Sequence, residues 1–103
     1  MGEDYQTLTD KARNVKITLN HFKVLLRVSN AQASAITYKK GNRVASYVED
    51  YLVTRDMNYL FARRLVKLGR ELNETEHWTQ FQWELTPVGR AIINLIDAAL
   101  RNR

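Results

Sequence analysis

A chain of 103 residues with net charge +5, from sixteen Lys and Arg against eleven Asp and Glu, is sized for one domain. Such a domain buries roughly 60–70% of its unfolded surface. The absence of cysteine excludes a disulfide framework and Cys-held zinc, and no apolar run approaches the 18 or so residues of a membrane span. The start Met1-Gly2-Glu3-Asp4 is the reverse of a basic signal peptide, so a soluble cytoplasmic protein is expected, with a modest positive field that draws polyanions.

One proline, no repeat and no low-complexity tract predict a single domain over 1–103, made of an N-terminal arm or helix (1–17), a core (18–86) and a C-terminal helix (87–103). Residues 1–8 read as a loose or partly helical start, with Thr9 as a cap. From Thr18 to Ser29, Leu19, Phe22, Leu25, Leu26 and Val28 recur at helical spacing. Asn30 to Ser34 break that helix. Ala35-Ile36-Thr37-Tyr38 is a short β-prone run, and Lys39-Lys40-Gly41-Asn42 reads as a turn with Asn42 as a cap.

Val44, Ala45, Val48, Tyr51 and Leu52 then predict a second helix, from Arg43 to Leu52. Thr54 is placed to cap a third, from Arg55 to Leu68, with Asp56 in its first turn and Gly69 closing it in a left-handed conformation. Its wheel puts Met57, Leu60, Phe61, Leu65 and Leu68 on one side and Arg55, Tyr59 and Arg63 on the other. Arg64 falls among the apolar residues, which the wheel leaves unexplained. Trp78 to Leu85 alternates, with Thr79, Phe81, Trp83 and Leu85 on the buried side and Trp78 on the other, as in a strand of a hairpin. Thr86 and Pro87 suit the N-cap and first position of a last helix.

The segments Arg43-Val44-Ala45-Ser46-Tyr47-Val48, Leu65-Val66-Lys67-Leu68-Gly69 and Leu85-Thr86-Pro87-Val88-Gly89-Arg90 resemble the small winged helix-turn-helix transcription regulators of the MarR and PadR types, over about residues 19 to 95. The resemblance implies a mostly α fold with a small β-hairpin wing. It also implies sequence-specific binding of double-stranded DNA by a homodimer, with the helix over 55–68 in the major groove. The base-contacting residues are then Arg55, Asn58, Tyr59 and Arg63, because Arg can grip guanine O6 and N7, and Asn can pair with adenine. Lys39, Lys40, Arg43, Lys67 and Arg70 are assigned to phosphates.

The wing departs from that pattern, since no basic residue lies between Arg70 and Arg90 whereas Glu71, Glu74, Glu76 and Glu84 crowd it. An acidic ribbon bearing Trp78 supports an alternative, a module that docks on a protein partner; a non-specific architectural chromatin protein, associated with the nucleoid, is a third reading. In the last helix the apolar residues span about 220° of the wheel, so Ile92, Ile93, Ile96 and Leu100 are expected at a dimer interface. Catalysis is not expected. His21 and His77 stand far apart without zinc-ligand spacing, and the four glycines form no phosphate-cradling loop. No cofactor, metal or small-molecule effector is anticipated.

Overall fold

The computed structural model describes residues 10–102. The expectations for residues 1–8 and for a Thr9 cap lie outside them. After a helical turn at 10–13, the chain forms α1 (Leu19–Ser29), β1 (Ala33–Tyr38), β2 (Val44–Val48), β3 (Tyr51–Leu52), α2 (Thr54–Ala62), β4 (Val66–Glu74), β5 (Trp78–Leu85) and α3 (Pro87–Arg101). The strands make one antiparallel sheet in the order β3-β2-β1-β5-β4.

Local chemistry fixes the ends. Thr18 accepts from the His21 N–H at 3.2 Å while its own N–H donates to His21 Nδ1 at 3.1 Å, a reciprocal box that satisfies two donors at the start of α1. Ala31, at φ 58°, turns the chain from α1 toward β1, and Gly41 and Asn42, at φ 85° and 52°, close the turn into β2. Thr75 closes the β4–β5 hairpin, its hydroxyl accepting from the His77 and Trp78 N–H groups. Thr86 caps α3 by accepting from the Gly89 N–H at 3.1 Å, donates to the Arg64 carbonyl at 2.6 Å, and is followed by Pro87 in the first turn.

The core lies on one face of the sheet. Register places Ala33, Ala35, Ser46, Val48 and Trp83 on that face, under Val24, Leu25 and Val28 of α1, Met57 and Leu60 of α2, and Ile92 and Ile93 of α3. Ser46, fully buried, accepts from the Trp83 indole N–H at 3.1 Å. The other face carries Ser34, Ile36, Tyr38, Ala45, Tyr47, Trp78, Gln80 and Gln82, each half-buried. Among the described residues none of these outward side chains belongs to the core or packs against it.

This architecture overturns the winged helix-turn-helix expectation. A five-stranded antiparallel sheet with flanking helices replaces a mostly α fold with a small wing. Arg43 to Leu52 is not a helix but the β2–β3 hairpin, turning at Glu49 with φ 54°. Val44, Ser46 and Val48 alternate correctly for a strand; Ser46 hid that period because it is polar, and its burial is licensed by the bond to Trp83. The helix over 55–68 stops at Ala62, Arg64 takes a left-handed φ of 58°, and Val66 opens β4. Arg64 therefore never occupied an apolar helical face. Thr54 does not cap α2; its hydroxyl accepts from the Ser46 N–H at 3.0 Å, and Val53 holds the cap position without a side-chain bond. Gly69 closes no helix. It lies inside β4, where a side chain would collide with that of Glu84.

The strand over Trp78–Leu85 and its place in a hairpin, the opposed faces of Trp78 and Trp83, and the Thr86-Pro87 start of α3 agree with the sequence reading, although the partner strand β4 begins at Val66, inside the expected helix. Gly89 has a further role, because a Cβ there would run into the Leu65 carbonyl; its absence lets α3 lie against the turn between α2 and β4. No helix among the described residues is long and apolar enough to cross a membrane.

Candidate nucleic-acid interface

Helix α2 enters from the β3 edge, its Met57 and Leu60 fully buried, which leaves Arg55 and Asn58 exposed. Tyr59, on the flank, is covered on both ring faces. His21 stacks on it at 3.9 Å between centroids and 11° between planes, and the Arg63 guanidinium lies 3.3 Å from the ring centroid. Two groups at those distances cannot share a face, so the order is His21, Tyr59, Arg63. The tyrosine hydroxyl donates to the Lys16 carbonyl at 2.5 Å, and Arg63 also donates to the Tyr59 carbonyl at 3.2 Å.

The pile is anchored below. His21 Nδ1 accepts the Thr18 N–H, so in the neutral ring the proton sits on Nε2, 3.6 Å from Asp56 Oδ1. Imidazole, phenol and guanidinium thus form a ladder from the base of α1 to solvent. Its outermost rung is a cation, held flat by a ring and by its own backbone bond, which lowers the ordering cost of engaging an anion. Arg55, one helical turn before Tyr59, is exposed, as is Lys16.

The sequence-selected groups separate. Arg55, Asn58, Tyr59 and Arg63 do share α2 and its C-cap, but Tyr59 is not free for a base, since its hydroxyl and both faces are occupied. Lys39, Lys40 and Arg43 stand in the β1–β2 turn instead of at a helix start, so no helical N–H groups assist them. There they border a shallow depression with Glu76 and His77, at the end of the sheet away from the α2 C-terminus. Lys39 pairs with Glu74 at 2.9 Å, and Arg43 lies 5.7 Å over the Tyr38 ring. Lys67 and Arg70 are exposed on the edge strand β4, Lys67 beside Arg90 in a groove that Ser29 and Thr86 also line.

Of the residues expected between subunits, Ile92 and Ile93 are 4% and 8% exposed and lie in the core of the same chain. Helix α1 packs against α3 in that core. Only Ile96, partly, and Leu100 remain at the surface.

Sequence reasoning missed the ladder beneath Arg63 and the open sheet face. His21 three residues after Thr18 was the available signal for the first, as a capping-box partner. No protein family, curated protein or solved structure matches the chain. Among the described residues no group of His, Asp and Glu is arranged to hold a metal ion.

Proposed function

We propose that this chain binds double-stranded DNA through the exposed side of α2, as a binding domain in regulation and not as a catalyst. The observation that carries the reading is the Arg63 guanidinium, pre-set on the Tyr59–His21 stack at the end of the helix on which Arg55 and Asn58 are exposed. An α-helix about 10–12 Å across with its side chains fits a major groove roughly 12 Å wide, and α2 offers nine residues to it. Charge supports the choice of face. Residues 54–65 carry Arg55, Arg63 and Arg64 against Asp56 alone, whereas the β4–β5 ribbon over 66–85 has Lys67 and Arg70 against four glutamates. Arg and Asn donors on one helix suit base edges, and Lys16 suits a neighbouring phosphate. The two-fold arrangement that a palindromic site calls for would use Ile96 and Leu100 on the distal half of α3.

The test is a fluorescence-anisotropy titration with a pool of random duplexes, followed by selection of the bound fraction. The native chain is expected to enrich a motif, and Arg55→Ala with Arg63→Ala to weaken binding to it at least tenfold while the thermal transition stays in place. Equal affinity of the double variant would refute the reading. Tight binding without enrichment would replace it with the architectural one.

A further inference from the structure

We propose that the open face of the sheet, remote from the α2 site, is a platform for a single strand of nucleic acid, with bases lying on Tyr38, Tyr47 and Trp78. This reading is independent of the duplex proposal and concerns the opposite side of the molecule. Pairing places Tyr38 beside Trp78 and Tyr47 beside Ser34, so all three rings point away from the helical layer. Each is half-buried, presenting part of its ring to solvent while its root is fixed in the central strands.

Between the rings stand hydrogen-bonding groups rather than charges. Gln80 and Gln82 on β5 face Ile36 and Ser34 across the ladder, and Gln80 donates to the Ser34 hydroxyl at 3.2 Å. On β1, β2 and β5 the outward positions of the rows from Ser34 to Tyr38 include no carboxylate, and the Glu84 side chain lies over Gly69 at the β4 edge of the Ser34 row. Lys40 and Arg43 border the Tyr38 end together with Glu76, and Arg43 lies over the tyrosine ring. Neutral amides among aromatic rings, with cations at the margin, match the needs of unpaired bases: a π surface, donors and acceptors for base edges, and neutralisation of phosphate at the border.

Size selects among occupants. Strands about 4.8 Å apart and two to nine residues long give a face of roughly 500 Å², short of the ~800 Å² each partner contributes to a stable protein interface. A platform of that area suits two or three stacked bases. A second copy of the chain would need contacts beyond the sheet.

The native chain is titrated with labelled r(U)8, with d(T)8 and with a duplex of equal length, following anisotropy and tryptophan emission. Trp78 is the outward tryptophan and Trp83 is 3% exposed, so quenching of Trp78 by either octamer, abolished in Trp78→Phe, is expected. Tyr38→Ala with Tyr47→Ala should weaken octamer binding roughly tenfold or more and leave the duplex unaffected, while Tyr47→Phe retains it. Arg55→Ala with Arg63→Ala should do the reverse, so either site can fail without the other. The two octamers tell which sugar is preferred. No octamer binding, octamer binding unchanged in the tyrosine variant, or a native dimer that this variant dissociates would each overturn the proposal. If the tyrosine variant does not fold, the quenching result decides alone.

Discussion

Replacing Gly89 by Ala tests the packing of α3 through its sign. In the first turn of an ordinary helix the change would stabilise the protein by up to about 1 kcal/mol, because Gly carries the larger entropy cost. Here the new methyl would overlap the Leu65 carbonyl oxygen and lie 3.1 Å from its carbon. The obstacle is backbone, fixed from both sides: the Leu65 N–H donates to the Leu60 carbonyl, and the Leu65 carbonyl accepts from the Thr86 N–H. Relief requires α3 to move by about 1 Å, which disturbs Ile92 and Ile93 in the core, and overpacking of this kind costs about 1–3 kcal/mol. A net loss of about 1 kcal/mol lowers Tm by about 5 °C for a domain of this size. Thermal and urea unfolding followed by circular dichroism would measure it. A Gly89→Ala variant more stable than the native protein would refute the close approach of α3 to the α2–β4 turn.

The pair between β2 and β5 gives a second test: Ser46→Ala leaves the buried Trp83 N–H without an acceptor and should cost about 1–3 kcal/mol in urea unfolding, whereas an exposed helical Ser46 would tolerate the change. For α2, the salt dependence of duplex binding is the sharper readout. Losing two cationic contacts should reduce the slope of log K against log salt by about 2, and an unchanged slope would place Arg55 and Arg63 away from the DNA.

Several elements could be read from the chain because one signal dominated each. Leu19 to Ser29 is an amphipathic run, Thr86 and Pro87 are a strong start for another, and Trp78 to Leu85 alternates without interruption. The hairpin β2–β3 could not be read, because its apolar residues satisfy helical spacing as well as Val44, Ser46 and Val48 satisfy strand spacing, and only a tertiary partner, Trp83, makes a buried serine acceptable. Leu65 to Gly69 looked like a helix end for a related reason. A glycine that lets the Glu84 side chain lie across the sheet has the same sequence signature as one that terminates a helix. Within the α2 site, Arg55, Asn58 and Arg63 were legible as one helical side, but the role of Tyr59 depends on His21 and Lys16, 38 and 43 positions away, which no local pattern reports. The aromatic sheet face was hidden by the same misread hairpin, since Tyr47 gains its neighbours only once β2 pairs with β1.

Amide chemical-shift mapping on the ¹⁵N-labelled chain would test most directly the claim that two opposed faces bind two forms of nucleic acid. A duplex should move the resonances of Arg55, Asn58, Arg63 and Lys16, and an octamer those of Tyr38, Tyr47, Trp78 and Gln80, with little overlap. Perturbation of the same residues by both ligands, or of neither set by either, would contradict the account.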